Sequence, residues 1–151
     1  MEVAKHLKKK TDLTVISNSL PIINFFSDAE NVKVIVIGGY LRNPELSMIG
    51  HTVENQLSEL RADKAIMGIQ GIHLEYGLTN DYLPETTTDR ALFRFARKLI
   101  LVADHSKFGV TKNAFVDDLS VVDMIVTDRK LPSGYYEGLK KLGIDVVLAD
   151  V

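Results

Sequence analysis

This 151-residue chain lacks cysteine and tryptophan altogether and contains only four prolines. Without cysteine, disulfide bonds, thiol catalysis and cysteine-ligated metal sites are excluded. No apolar run approaches the roughly 20 residues that a membrane-spanning helix needs, and residues 1–6 are too polar for a signal peptide. These absences predict a cytoplasmic protein that does not associate with a membrane.

The chain also lacks an excess of charge of either sign, with 18 basic and 20 acidic residues and a formal net charge of -2. Affinity for a nucleic-acid backbone needs a concentrated basic surface. The one basic run, residues 8–10, is explained by the end of a solvated helix. The four histidines show no metal-ligand spacing such as His-x-x-x-His. We therefore predict that this chain alone binds neither nucleic acid nor a metal ion.

What is present is an ordinary globular composition in which apolar runs alternate with segments of helical periodicity. The predicted strands are 13–16, 32–37, 65–69, 99–103, 124–127 and 145–148. The predicted helices are 20–28, 52–60, 86–98 and 133–142. This order predicts right-handed crossovers and an α/β fold, a mostly parallel sheet with helices on both faces. We expect a single domain over residues 1–151, with residues 71–85 as its longest loop.

The amino terminus starts inside a helical pattern, because Val3, Ala4 and Leu7 share one face and no capping residue precedes them. A helix without its entry turn leaves amide donors unpaired. We interpret this as the sign of a longer parent protein with a preceding strand and loop. The alternative is a natural start at Met1 with a frayed helix.

The leading candidate site follows the predicted strand 99–103, where the apolar run ends in Asp104, Ser106, Lys107 and Gly109. In open α/β sheets, ligands bind beyond the carboxyl ends of such strands. A carboxylate accepts hydrogen bonds from sugar hydroxyls and an ammonium attracts a phosphate, so Asp104 with Lys107 predicts a polar, anionic small ligand. The alternative is an ordinary strand end whose charges are solvated.

Two other strand ends carry small or polar residues. Asn18 and Ser19 precede a predicted helix with Pro21 in its first turn, where free amides suit a phosphate or carboxylate; a plain capped helix is the alternative. Gly38 and Gly39 allow either the close approach of a ligand or a tight turn. No dinucleotide fingerprint and no Walker lysine motif occurs, so we predict no cofactor.

A third candidate region is acidic. Asp81 lies in the predicted loop 71–85, and Glu85 and Asp89 share one face near the start of the predicted helix 86–98. Paired carboxylates serve as acid and base in catalysis. They equally suit the amino terminus of a helix, which is the interpretation we favour unless further features support catalysis.

Taken in order, several motifs resemble the effector-binding domain of DeoR-type transcriptional repressors over essentially the whole chain. They are Thr-Val-Ile-Ser-Asn-Ser-Leu-Pro at 14–21, Gly-Gly at 38–39, Ile-Gly at 49–50, Gly-Ile-Gln-Gly-Ile at 68–72, Gly-Leu-Thr at 77–79, Ala-Asp-His-Ser-Lys-Phe-Gly at 103–109 and Val-Asp-Met-Ile-Val-Thr-Asp at 122–128. Each motif is weak alone, but their order and spacing are specific.

The resemblance implies a fold similar to ribose-5-phosphate isomerase, a cytoplasmic bacterial or archaeal setting and homo-oligomers formed through the sensor domain. Such proteins bind a phosphorylated sugar or related metabolite, and they bind DNA through an amino-terminal winged helix-turn-helix that this chain lacks. We predict the ligand-binding residues to be Asn18, Ser19, Gly38, Gly39, Asp81, Glu85, Asp89, Asp104 and Lys107.

Two departures from the family pattern keep other functions open. The family has a strand with a Gly-Thr-Thr phosphate loop before the first helix, and this chain starts after that point, so part of the anion site is missing. Asp89 stands where the repressors often have lysine. Related sugar-phosphate isomerases place a glutamate base at about this distance before a similar Ala-Asp-x-Ser-Lys motif, so an isomerase with Asp89 as base is one alternative.

An isomerase also needs groups that stabilise the enediolate oxygens. The isomerase resemblance implies acidic residues near 68–72, where this chain has none. We therefore favour a ligand sensor over an enzyme. A purely structural oligomerisation module that binds no ligand is the third hypothesis.

Overall fold

The computed structural model describes residues 1–150, and the chain divides into two compact units, Met1–Leu57 and Ser58–Val151. The helices are α1 (Glu2–Leu7), α2 (Leu20–Phe26), α3 (His51–Ser58), α4 (Thr86–Arg94) and α5 (Ser133–Lys141). The strands are β1 (Leu13–Ser17), β2 (Val32–Val36), β3 (Tyr40–Arg42), β4 (Ser47–Ile49), β5 (Ala65–Met67), β6 (Gly71–His73), β7 (Gly77–Asn80), β8 (Leu99–Val102), β9 (Ala114–Asp117), β10 (Met124–Asp128) and β11 (Asp145–Ala149). Among residues 1–150, no helix has the length and apolarity required to cross a bilayer. The expectation of a single domain stays a prediction.

The first unit is built on the parallel pair β1 and β2, in which Leu13 lies opposite Val32. Alternate residues of both strands pack against α1 and α2, and the buried centre of this cluster is Ala4, Phe26 and Val32. The predicted amino-terminal helix is present as α1. The antiparallel hairpin of β3 and β4 was not predicted, because strands of three residues are too short to show alternation.

The second unit contains a parallel sheet in the order β11-β10-β8-β5. β8 lies inside it, with Leu101 opposite Met67 of β5 on one side and opposite Ile125 of β10 on the other. Leu101 and Ile125 are fully buried. The apolar runs that predicted these strands therefore form the centre of the unit. The predicted α/β class with parallel strands and helices is confirmed.

A second sheet in this unit is antiparallel, in the order β6-β7-β9, and it corrects the predicted loop over residues 71–85. β6 and β7 form a hairpin in which His73 lies opposite Gly77, whose φ of 70° suits glycine. The sheet is completed by β9, which comes more than thirty residues later in the chain. Short strands whose partner is remote in sequence leave no local pattern.

The predicted boundaries of α2, α3 and α5 agree with the structure to within two residues, whereas α4 was predicted to reach Lys98 and stops at Arg94. Beyond Phe95 the helix gives way to an isolated parallel bridge between Ala96 and Ala62, and the Arg97 N–H donates a hydrogen bond to the Ala62 carbonyl oxygen at 2.9 Å. This tertiary pairing overrides the helical periodicity of residues 95–98.

Gly71 in β6 has no room for a side chain. A Cβ atom there would lie 2.5 Å from Thr79 Oγ1 and 2.6 Å from the carbonyl oxygen of Val110. We predict that Gly71→Ala lowers the free energy of unfolding by about 1–3 kcal/mol through overpacking, as measured by urea denaturation. The control is Gly134→Ala in α5, where no atom lies within 4 Å of the added Cβ. Equal losses in both variants would contradict this account.

Candidate functional site

Polar residues gather at the carboxyl edge of the four-stranded parallel sheet. Residues 68–70 follow β5, residues 104–107 follow the neighbouring strand β8, and Asp128 ends β10, the next strand. The carboxyl ends of parallel strands meet at one edge, so residues far apart in sequence are brought to one region of this unit.

Asp104 is the N-cap of the single turn of 3-10 helix, His105–Lys107, that follows β8, and Lys107 is the last residue of that turn. Asp104 Oδ1 accepts a hydrogen bond from the Ser106 N–H at 2.9 Å. Hydrogen bonds from the Ser106 side chain and N–H hold the pKa of Asp104 below its ordinary value, and the positive charge of Lys107 adds to this effect. Lys107 is half-buried, and its ammonium has no ion-pair partner within residues 1–150. The turn thus presents a carboxylate and a cation together.

A histidine and an aspartate connect the ends of β8 and β10, and sequence reasoning did not identify either as part of the site. Asp128 Oδ2 accepts a hydrogen bond from the His105 N–H at 2.8 Å and lies 3.0 Å from His105 Nδ1. Asp128 Oδ1 accepts a hydrogen bond from the Lys130 N–H at 2.8 Å. These hydrogen bonds from His105 lower the pKa of Asp128 to about 2, so its carboxylate is ionised.

A network of hydrogen bonds connects Gln70, which follows β5, to residues of β7 and α4. Asn80 Nδ2 donates a hydrogen bond to Asp89 Oδ2 at 2.6 Å, and Asn80 Oδ1 accepts one from the Gln70 N–H at 3.2 Å. Gln70 Oε1 in turn accepts a hydrogen bond from the Asp81 N–H at 3.1 Å. The network therefore joins the residues after β5 to the end of β7 and the first turn of α4.

The three predicted acidic residues differ in their surroundings. Asp81 is exposed, whereas Glu85 is half-buried at the N-cap position of α4. Asp89 is 7% exposed and holds Asn80. Asp89 thus has a structural partner, and its neighbour Asn80 was missed because a single amide after an apolar run is not distinctive.

In the first unit, the predicted residues Asn18 and Ser19 bind neighbouring backbone and side-chain groups. Asn18 Nδ2 donates a hydrogen bond to the Met48 carbonyl oxygen at 2.8 Å. Ser19 is the N-cap of α2 without a side-chain capping bond, and its N–H donates to Ser17 Oγ at 3.1 Å. The next amide, that of Leu20, donates to Leu46. The backbone N–H groups of Ser19 and Leu20 therefore already donate hydrogen bonds within the protein.

The predicted glycines also have packing roles in this unit. Gly38 exchanges hydrogen bonds with the Gln56 side chain, which donates to the Gly38 carbonyl oxygen at 2.9 Å and accepts from its N–H at 3.3 Å. A Cβ on Gly39 would lie 2.6 Å from Val53 Cγ2 and 2.8 Å from the Ile49 carbonyl oxygen. Gly39 thus permits α3 to approach the preceding loop closely, whereas the sequence predicted a tight turn or the approach of a ligand.

No group of three or more potential metal ligands occurs within residues 1–150. The second unit is an α/β structure whose acidic, amide and ammonium groups lie at the carboxyl edge of parallel strands, the usual position of small-molecule sites in this class. A family model described as the DeoR C terminal sensor domain matches residues 1–129. The chain belongs to this family, and the predicted resemblance is confirmed.

The curated relatives include bacterial transcriptional regulators. The chain is 31% identical over 147 residues to the HTH-type transcriptional repressor GlcR of Bacillus subtilis, covering 97% of this chain and 56% of that protein. It is 35% identical over 132 residues to the glycerol-3-phosphate regulon repressor of Escherichia coli K12, covering 86% and 52%. It is 29% identical over 150 residues to the regulator GolR of Listeria innocua, covering 99% and 59%. The chain thus spans about half the length of these relatives.

The Asn80 network generates a stability prediction. Asn80→Ala removes the hydrogen-bond partner of both the Asp89 carboxylate and the Gln70 N–H. Because these groups are then left without that partner in a buried setting, we expect a loss of about 1–3 kcal/mol in unfolding free energy, measured with urea. Asn113→Ala, at an exposed position of the same unit, is the control and should change stability little. A loss no larger than that of the control would contradict the role of Asn80.

Asp128 generates a pH prediction. A carboxylate with a lowered pKa in the folded state stabilises the fold above its unfolded pKa, and this contribution is lost as the pH falls through the folded value. With an ordinary pKa of 3.8 and a folded pKa of about 2, the difference in Tm between wild type and Asp128→Asn should be constant above about pH 4 and shrink towards pH 2. Glu137→Gln, at an exposed position, is the control. A difference that persists unchanged to pH 2 would contradict the assignment.

Proposed function

We propose that this chain is the effector-sensing part of a cytoplasmic bacterial transcriptional repressor and binds a phosphorylated sugar or polyol. The observation that carries the proposal is the turn after β8, where the ionised Asp104 and the Lys107 ammonium lie together at the carboxyl edge of the sheet. The carboxylate accepts hydrogen bonds from ligand hydroxyls, and the ammonium attracts the phosphate.

The choice of a phosphorylated ligand has two supports. Lys107 is a half-buried cation without an ion-pair partner in residues 1–150, so an anion brought to it does not have to displace a carboxylate. One relative is named as the repressor of a glycerol-3-phosphate regulon. The first-unit residues Asn18, Ser19, Gly38 and Gly39 stay predicted ligand-binding residues.

Sensing fits the residues better than sugar-phosphate isomerisation does. The alternative base, Asp89, is buried and hydrogen-bonded to Asn80, whereas a general base needs to reach the proton that it abstracts. Residues 68–72 contain no carboxylate to assist it. The relatives are named as transcriptional repressors and regulators.

Regulation then requires that the ligand prefer one of two arrangements of the protein. A ligand that binds both arrangements equally leaves the equilibrium between them unchanged. We propose that binding at the carboxyl edge alters the Asp81 to Glu85 segment, which is attached to the site by the Gln70 hydrogen bond. In the longer protein, that change would alter how the DNA-binding parts are held.

The first test is a thermal-shift panel of phosphorylated sugars and polyols, including glycerol 3-phosphate, with the unphosphorylated compounds as matched controls. A ligand that binds only the folded state raises its Tm with concentration. A selective rise with one class of phosphorylated compound supports sensing. A flat panel, repeated on a longer form of the protein, would favour the oligomerisation module that binds no ligand.

Lys107→Ala is expected to weaken binding of the compound that gives the largest shift. Loss of a charged hydrogen bond costs about 1.5–3 kcal/mol, which corresponds to roughly a tenfold to hundredfold rise in Kd by calorimetry. The control is Lys112→Ala, an exposed lysine of the same unit. An unchanged Kd in Lys107→Ala would exclude Lys107 from the anion site.

A further inference from the structure

One face of the β11-β10-β8-β5 sheet carries apolar side chains that neither α4 nor α5, the helices of the same unit, covers. Residues alternate between the two faces of a strand, and the cross-strand register aligns the alternating sets of neighbouring strands. The set on this face, called the open face below, is Ile66, Ile100, Val102, Met124, Val126 and Val147. Ile66, Val102 and Val147 are 39%, 38% and 44% exposed.

The opposite face of the same sheet is buried along its central strands, although Leu148 of the edge strand β11 is 36% exposed, and the connections explain the difference. The residues there include Ala65, Leu99, Leu101 and Ile125, all buried. The chain moves in one direction across the sheet from β5 to β8 to β10 to β11. Because crossovers between parallel strands are right-handed, helices α4 and α5 both lie on that opposite face. The open face therefore receives no helix from its own unit.

We propose that the open face packs against the open face of a second copy of this chain, with a two-fold axis that runs parallel to the strands between β8 and β10. Parallel sheets are normally covered on both faces, and an exposed apolar patch of this kind marks an interaction surface. This axis places Ile100 and Val102 of one copy against Met124 and Val126 of the other. Apolar residues then lie at the centre of the interface.

The charges at the amino-terminal end of the sheet favour a second copy as the partner. Lys64 and Lys98 immediately precede β5 and β8, and both are exposed and without an ion-pair partner within residues 1–150. Asp145 begins β11, at the other side of the same end, and its side chain is 71% exposed. The open face thus has cations on one side and a carboxylate on the other.

The proposed axis brings these opposite charges together. Rotation about a line parallel to the strands keeps the strand direction and exchanges the two sides of the sheet, so β5 of one copy lies over β11 of the other. Sheets that pack face to face are about 10 Å apart, a gap that a lysine side chain from one copy and an aspartate from the other can span. Each dimer therefore has two contacts between Lys64 and Asp145, as expected of a self-complementary interface.

Within its own copy, Asp145 lies 3.9 Å from Lys140. That long contact joins two exposed side chains and leaves the carboxylate accessible. A variant at Asp145 therefore also loses the contact with Lys140 of its own copy. For this reason the variants are measured in mixtures as well as singly.

The test measures the oligomeric state of the chain by sedimentation equilibrium. We expect wild type to dimerise and Val102→Asp to raise the dimer Kd at least tenfold, because it puts a charge at the centre of the interface. The control is Leu142→Asp, which is 55% exposed at the end of α5 and lies outside the open face; its Kd should match wild type. Circular dichroism establishes that each variant is folded.

A charge exchange tests the orientation and stays informative if Val102→Asp fails to fold. Lys64→Glu and Asp145→Lys each place like charges opposite one another, so each alone should dimerise more weakly than wild type. Mixed in equal amounts they should form a heterodimer, because Glu at 64 then meets Lys at 145 and the unchanged Lys64 meets the unchanged Asp145. Lys112→Glu, whose own interface is unchanged, is the control: mixed with Asp145→Lys it should form its own homodimers and take up no more Asp145→Lys into heterodimers than wild type does.

A chain that stays monomeric at about 10 µM, where stable dimers assemble, would overturn the proposal and point to another segment or protein as the cover of the open face. A dimer that Val102→Asp and the charge exchange leave unchanged would overturn it as well, since the interface would lie elsewhere. No ligand is needed for any of these measurements, so the outcome is independent of the proposed sensing function.

Discussion

The parallel pairing of β8 between β5 and β10 is the constraint on which the candidate site depends. With Leu101 opposite both Met67 and Ile125, the three strands end at a common edge, and whatever follows each strand is brought there. Asp104 and Lys107 follow β8, Asp128 ends β10, and the Gln70 segment follows β5. A slip of β8 by one residue would exchange its buried and exposed faces, so the site and the core are specified by the same register.

Hydrogen bonds then hold the loops at that edge in place. Asp128 binds the His105 amide and imidazole across the gap between two loops, and Asn80 links Asp89 to Gln70. Asp128 and Asp89 are carboxylates that orient other groups in this way. Of the two side chains proposed to meet a ligand, Asp104 is exposed and Lys107 is half-buried. This division between supporting and contacting residues is what a preorganised binding site requires.

Much of this arrangement could be predicted from the sequence, and the limits have physical causes. The parallel strands were found because buried strands are continuous apolar runs, and the Asp104 and Lys107 pair because it follows the clearest of them. The sheet of β6, β7 and β9 was missed because its strands are short and β9 is distant in sequence. Asn80, His105 and Asp128 act through tertiary contacts that leave no local pattern. Gly39, predicted for ligand approach or a turn, is required by its contact with Val53.

The most direct test of the central claim is an NMR titration of the labelled chain with the phosphorylated compound that most raises its Tm. We expect the largest amide shift changes in residues 104–107 and 128–130, with smaller changes at 68–70 and 80–81, and we expect the unphosphorylated compound to produce none of them. Saturable changes centred on the carboxyl end of α5, or no saturable change with any phosphorylated sugar or polyol, would contradict the assignment of the carboxyl edge as the effector site.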